Sequence, residues 1–203
     1  MIYIVSYFFF RVLSWLFFPA TVIGRERLPV DQGFVIASNH ISNLDPFILG
    51  ISSRRRLSYV TKDSLFKNKI LGFLLREVDA FPIKRGASDF RAMREILRRL
   101  KQKRPIVLFP EGTRKTAGKE KRINPGVGFV AAKSGAPVVP AYIKDSDKVM
   151  PPGAKMLKRH PIRVTFGDPI YFTEGQSYTE ISHQIMNQIV VLAKSSRPAK
   201  IGV

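Results

Sequence analysis

Residues 33–40 read Gly33-Phe34-Val35-Ile36-Ala37-Ser38-Asn39-His40. The apolar run from Phe34 to Ala37, bounded by a glycine and then by polar residues, predicts a strand over 33–38. Asp45-Pro46 follows as N-cap and first-turn proline of a helix carrying Phe47, Ile48 and Ile51. The same alternation continues outward along the chain. Strands are predicted at 57–62, 78–83, 105–109, 137–143 and 163–166. Helices are predicted at 64–76, from a cap at Ser88 through Leu100, and at 126–134 with Gly135 as the stop. The last helix opens on Ser177-Tyr178-Thr179-Glu180, a capping box, and carries Ile181, Ile185, Ile189 and Leu192. Short apolar runs alternating with amphipathic stretches are the pattern of an α/β domain.

The composition supports one such domain. The chain has 203 residues, of which 45% are hydrophobic, so a packed core is within reach. It contains no cysteine, which excludes disulfides, thiolate metal sites and a Cys nucleophile. Lys and Arg number 34 against 15 Asp and Glu, a net charge of +19, which calls for anionic partners: nucleic acid or a membrane surface with acidic lipids.

The N-terminus favours the membrane. Residues 1–18, MIYIVSYFFFRVLSWLFF, depart from apolar or aromatic character only at Ser6, Arg11 and Ser14. As a helix they would span roughly 27 Å, against a bilayer core of about 30 Å. Tyr3, Ser6, Tyr7, Arg11 and Ser14 fall within one arc of roughly 140°, with Val5, Phe9, Val12, Trp15 and Leu16 outside it. This arrangement fits an anchor lying in the interface, with Pro19 ending the helix. The competing readings are a single span, which Arg11 penalises, a signal peptide, which lacks the usual flanks, and a plain core helix. The expected organisation is therefore an anchor over 1–23 and a catalytic domain over 24–203.

The chemistry lies where strands end. Asn39-His40 follows the first predicted strand of that domain, and Glu111-Gly112-Thr113-Arg114 follows the 105–109 strand after Pro110, so both motifs sit where open α/β sheets form their ligand crevice. His40 and Asp45 would stand about 140° apart on a helix, so they can meet only if the chain bends between them. A loop from His40 to Asn43 into a helix beginning at Asp45 would let the carboxylate orient the imidazole, leaving one ring nitrogen as a general base. The bland readings are Asp45 as a simple N-cap and the basic residues around Arg114 as a solvated loop. Gly112 to Lys119 fails as a phosphate-binding P-loop, because Glu120 stands where Ser or Thr is required. No G-x-S-x-G elbow occurs, so a serine hydrolase has little support.

The sequence Asn39-His40-Ile41-Ser42-Asn43-Leu44-Asp45 resembles the N-H-x4-D motif of the glycerolipid acyltransferases typified by 1-acylglycerol-3-phosphate acyltransferase. Phe109-Pro110-Glu111-Gly112-Thr113-Arg114 resembles their F-P-E-G-T-R motif. Phe81-Pro82-Ile83-Lys84-Arg85-Gly86 and Val138-Val139-Pro140-Ala141-Tyr142-Ile143 are similar to two lesser blocks of that family, in the same order. Lys115 stands where many members carry Ser. The resemblance implies a mixed α/β sheet flanked by helices and docked on the membrane by its N-terminal segment.

It also implies acyl transfer from acyl-CoA or acyl carrier protein to the sn-2 hydroxyl of 1-acylglycerol 3-phosphate, giving phosphatidate. His40 would take the proton from the acceptor hydroxyl and Asp45 would orient the ring. Arg85 and Arg114 suit the acceptor phosphate through their guanidinium forks, with Lys84 and Lys62 as auxiliary charges and Thr113 as a hydroxyl donor. Gly112 permits a tight turn, Glu111 orients an Arg or binds an acceptor hydroxyl, and Asn39 holds the loop. No metal and no resident cofactor are expected, and nucleic acid is not an expected partner. The basic clusters Arg54-Arg55-Arg56, Arg98-Arg99 and residues 101–122 would rest on anionic lipid, on the cytoplasmic face of the cell inner membrane. The alternatives are the same chemistry on another lysophospholipid, glycerol 3-phosphate or a lipid-linked amine, and, in a different class, a nonenzymatic membrane or nucleic-acid binding protein.

Overall fold

The computed structural model describes residues 2–84, 89–112, 123–151, 153, 154, 156–173 and 175–196. In chain order the elements are α1 (Ile2–Phe17), β1 (Ala20–Ile23), β2 (Val35–Ser38), α2 (Asp45–Ser52), β3 (Ser58–Lys62), α3 (Lys69–Glu77) and β4 (Ala80–Ile83). There follow α4 (Phe90–Lys101), β5 (Ile106–Leu108), α5 (Gly126–Ser134), β6 (Val138–Lys144), α6 (Ser146–Val149), β7 (Ile162–Phe166) and α7 (Tyr178–Ser195).

The seven strands form one mixed sheet in the order β1-β7-β6-β2-β5-β3-β4. The pairs from β6 through β2, β5 and β3 to β4 are all parallel, whereas β7 runs antiparallel to β6 and carries β1 parallel to itself. β2 is central, and all four of its residues are buried because both faces of the sheet are covered. Ile36, Val107, Val139 and Ala141 point into the cluster under α1 and α2, where Phe34, Ile48, Leu49 and Phe166 also sit. Val35, Ala37, Ile106 and Val138 point to the opposite cluster with Ile96, Val130, Ile181 and Ile185 from α4, α5 and α7. The period-two alternation of each strand thus feeds two cores, one per face. On the second face α5 and α7 meet at Gly128, where a β-carbon would lie 1.9 Å from the carbonyl oxygen of Tyr178.

Several local expectations change in the structure. Residues 20–23, expected within the anchor, are the edge strand β1, paired from Ala20↔Ile162 to Ile23↔Thr165, and Phe18 before it is fully buried. The sheet therefore begins inside the segment assigned to the anchor. The stretch 64–76 is divided: a 3-10 turn over Asp63–Phe66 precedes α3, whose own cap is Asn68, accepting from Leu71 N at 3.0 Å. Ser88 lies outside the described residues, and the cap of α4 is Asp89, which accepts from Ala92 N at 3.1 Å. The capping box of α7 and the left-handed Gly135 after α5 stand where the sequence places them.

The basic clusters are only partly surface charge. Arg99 is 11% exposed, pairs with Asp79 and Glu95 at 2.7 Å each, and lies over the Phe81 ring. The hydrogen bond from Arg98, joined by Arg99, holds the Glu95 carboxyl at about 2. Arg55 donates to the carbonyls of Pro29, Gln32 and Lys103. Arg55 and Arg99 therefore brace the fold, whereas Arg54, Arg56 and Arg98 are exposed, Arg56 also donating to Glu77 O at 2.9 Å and lying over the Tyr3 ring.

Candidate active site

The β2–α2 connection carries the site. Asp45 is the first residue of α2 and does not cap it with its side chain, since the cap position belongs to Leu44 without a side-chain hydrogen bond. Its carboxylate turns back over the loop instead. Oδ2 accepts from the backbone N–H of Ile41 at 2.7 Å and of Ser42 at 2.8 Å, and meets His40 Nδ1 at 2.9 Å. Oδ1 accepts from the Ser146 hydroxyl at 2.6 Å. Asp45 is fully buried and His40 is 12% exposed. The chain thus makes the bend that the spacing of the two residues requires, and Pro46 in the first turn starts α2 immediately beyond it.

A carboxylate oxygen accepts hydrogen bonds, so His40 Nδ1 is the donor in this contact and Nε2 is the ring nitrogen that Asp45 does not engage. The ring is held from a second side by Phe109, stacked on it with centroids 4.1 Å apart and planes inclined by 17°. Phe109 was visible in the sequence only as part of a motif, and its contact with His40 depends on β2 and β5 being neighbours. Beyond it the chain reverses: Gly112 N donates to Phe109 O at 2.8 Å with Gly112 at φ 65°. That left-handed conformation, and not a lack of space, is what requires glycine, because a β-carbon would find its nearest neighbour at an ordinary 3.7 Å.

His40 opens into a cleft of about 1110 Å³ along the C-terminal ends of the parallel strands. Its walls are largely apolar, including Phe10, Phe47, Val60, Leu75, Ile83, Met93 and Phe129. Lys62 at the end of β3, Lys84 beyond β4 and Gly112 beyond β5 border the same cleft. Lys84 is fixed through its backbone, whose N–H donates to Asp89 Oδ2 at 2.8 Å; that bond and the one from Ala92 hold the Asp89 carboxyl below its usual range. Tyr3 and Tyr59 also line the cleft, and desolvation pushes both phenols above their ordinary values, so they stay neutral.

The structure therefore brings His40, Lys62, Lys84 and Gly112 to one cleft, with Asp45 buried behind the imidazole. Glu111 is half-buried at the turn beside Gly112, outside the cleft lining. Arg85, Thr113 and Arg114 lie outside the described residues. Asn39 ties the loop to β6: its Nδ2 donates to Ile143 O at 2.9 Å and its Oδ1 accepts from Ile143 N at 2.8 Å.

A histidine hydrogen-bonded to a buried carboxylate at the switch point of an α/β sheet, beside a largely apolar cleft, is an arrangement that can relay a proton during group transfer. The sequence model described as Acyltransferase matches residues 19–144, more than half of the chain, and the chain belongs to that family. It is 29% identical over 151 residues to the 1-acyl-sn-glycerol-3-phosphate acyltransferase of Bacillus subtilis, covering 74% of this chain and 73% of that one. It is 32% identical over 159 residues to the chloroplastic 1-acyl-sn-glycerol-3-phosphate acyltransferase BAT2 of Brassica napus, covering 76% of this chain but only 46% of the relative, so it spans about half that protein's length. The crystal structure of the 1-acyl-sn-glycerophosphate (LPA) acyltransferase PlsC from Thermotoga maritima shares the fold, with a TM-score of 0.78 and 24% identity over 97% of this chain and 80% of that one.

Proposed function

We propose that the protein transfers an acyl group from an acyl thioester, carried by coenzyme A or acyl carrier protein, to the sn-2 hydroxyl of 1-acylglycerol 3-phosphate. The observation that carries this reading is the 2.9 Å pair of His40 and Asp45 with Nε2 left for the cleft. His40 takes the hydroxyl proton as the oxygen attacks the thioester carbonyl, and Asp45 stabilises the imidazolium that results. Collapse of the tetrahedral intermediate breaks the carbon–sulfur bond, and the imidazolium returns its proton to the departing thiolate. The products are phosphatidate and a free thiol, with no acyl-enzyme and no resident cofactor. The apolar walls hold hydrocarbon, and Lys62 and Lys84 bring positive charge to the same cleft for the phosphate. Turnover by detergent-purified protein, offered a panel of lysolipids with both donors, tests the assignment; a preference for an uncharged acceptor counts against it.

Arg114 and Arg85 complete this phosphate site in the proposal. Neutralising either is expected to weaken use of lysophosphatidate by roughly 1.5 to 3 kcal/mol more than use of an uncharged lysolipid analogue. Arg114→Lys keeps the charge, loses the fork, and restores only part of the activity. Competition kinetics with the two acceptors measure the difference, and equal losses on both remove these residues from phosphate recognition.

The membrane reading takes a particular form. The arc of α1 holding Tyr3, Ser6 and Tyr7 faces the cleft, and Ser14 is buried with its hydroxyl on Phe18 O at 3.0 Å. The polar side of the helix is thus turned inward, except for exposed Arg11. Ile4, Val5, Phe8, Phe9, Val12, Trp15 and Leu16 form the outer face, and α3, which contacts α1, adds exposed Ile70, Phe73 and Leu74. Among the described residues no helix is long and apolar enough to cross a membrane. This face would lie in one leaflet, with the cleft beside it and anionic headgroups on the remaining surface arginines and lysines. Phe9→Glu together with Trp15→Glu is expected to cut cosedimentation with phosphatidylglycerol vesicles at least tenfold while leaving the melting temperature within a few degrees. Unchanged vesicle binding would remove α1 from the membrane contact. Because Phe18 and the inner face of α1 are part of the core, such substitutions test the anchor without the damage of deleting it.

A further inference from the structure

The two oxygens of Asp45 answer to different parts of the chain. Oδ2 serves its own loop, holding His40 and two backbone amides. Oδ1 is held by Ser146, 101 residues further on, through a 2.6 Å hydrogen bond from a hydroxyl that is itself fully buried. Three other bonds run in parallel with it, two exchanged between the Asn39 amide and the backbone of Ile143 and one from the Ser42 hydroxyl to Met150 O at 3.3 Å. Those three use backbone groups that many residues at 143 and 150 would supply. Among the described residues across this junction, only Ser146 reaches the carboxylate with its own side chain. Its placement depends on an uncommon backbone: Asp145, between β6 and α6, has φ 67° and ψ 13°, the left-handed region for a residue other than glycine.

We infer that Ser146 is a positioning residue for the acyl-transfer step, acting through Asp45; this rests on the reading of His40 and Asp45 as the catalytic pair. A carboxylate rotates easily about its Cβ–Cγ bond, with a broad twofold preference. The Ile41 and Ser42 N–H groups restrain Oδ2, and a short hydrogen bond from the Ser146 hydroxyl to Oδ1 adds the second point that fixes the carboxylate plane and keeps Oδ2 aimed at His40. The imidazole inherits the alignment through Nδ1, and with it the direction of the Nε2 lone pair. Loss of alignment lowers the rate of proton transfer without altering where the acceptor binds, so it falls on kcat and not on KM.

The test is kinetic, with the full-length protein in detergent, lysophosphatidate as acceptor and acyl-CoA as donor. Ser146→Ala is expected to lower kcat about tenfold, with KM for lysophosphatidate within twofold. Ser146→Cys keeps the size and offers only a weak donor, so its kcat falls between the other two. In the Asp45→Asn background, where the anion is gone, Ser146→Ala should cost less than threefold further, a non-additivity that a merely structural role would not produce. A Ser146→Ala variant with kcat within twofold of the parent overturns the inference, as does an undiminished tenfold effect in the Asp45→Asn background. If Ser146→Ala does not fold, Ser146→Cys with parental kcat overturns it equally. Asp45→Asn turning over at the parental rate would sink the catalytic pair itself, and the inference with it. An impaired Asp45→Asn beside normal Ser146 variants would sink the inference alone.

Discussion

Replacing His40 with alanine is expected to lower turnover by about 10² to 10⁴ while leaving a folded protein. His40 is the one imidazole lining the described cleft, its Nδ1 is hydrogen-bonded to a buried carboxylate, and water cannot take its place with the same alignment. The fold should tolerate the change. Asp45 Oδ2 keeps its two backbone amides and Oδ1 keeps Ser146, so the carboxylate remains hydrogen-bonded. What is lost is the ring stack on Phe109 and one hydrogen bond, about 1 to 2 kcal/mol together. Thiol release from acyl-CoA in the presence of lysophosphatidate, measured beside a thermal melt, separates the two effects. Near-parental turnover would end the general-base assignment, and would revive the nonenzymatic reading.

The second large effect concerns Asp45 and divides by substitution. Asp45→Ala strands the N–H of partly buried Ile41, the N–H of buried Ser42 and the hydroxyl of buried Ser146. Each orphaned buried donor costs about 1 to 3 kcal/mol, so the sum is a large share of a typical stability of about 5 to 15 kcal/mol. Its melt should therefore be lowered severely, by more than ten degrees. Asp45→Asn behaves differently. The amide oxygen can still accept from the two backbone N–H groups, and the amide nitrogen can donate to the Ser146 oxygen, so folding survives. The negative charge beside the imidazole is gone, and turnover should drop about 10²-fold or more with KM little changed. An Asp45→Ala protein that melts like the parent would contradict the buried network, and an Asp45→Asn protein of full activity would contradict its catalytic use.

The spacing of the sequence explains why so much of the site could be anticipated. His40 and Asp45 are five residues apart and meet within one loop, so their pairing is a local matter decided by a strand end, a bend and Pro46. The order of β2, α2, β3, α3, β4, α4, β5, α5 and β6 follows from hydrophobic runs that need no distant partner to be recognised. Elements whose existence depends on what covers them were harder to see. Ala20–Ile23 is four residues long and adjoins an apolar helix, and only the exposed edge of β7 makes it a strand. The inward turn of the polar side of α1 escaped for the same reason. A helical wheel ranks the faces by polarity, while the direction each one faces is set by Phe10 stacked on Phe47 and by Ser14 closing onto Phe18.

By itself, then, the sequence determined the alternation of elements, the absence of a cysteine nucleophile, and the local pair of acid and imidazole at a strand end. These are properties of short stretches, where side-chain pattern, capping and turn chemistry act over a few residues. The tertiary structure alone decided that β7 reverses direction, that Phe109 stacks on His40, that Arg99 is a largely buried brace and that Ser146 holds the far oxygen of Asp45. Each joins residues from separate elements, and the joining depends on sheet order and on the left-handed turn at Asp145. Contacts of that kind arise when the layers close around a common core, where burial makes an unpartnered polar group costly enough to select its partner.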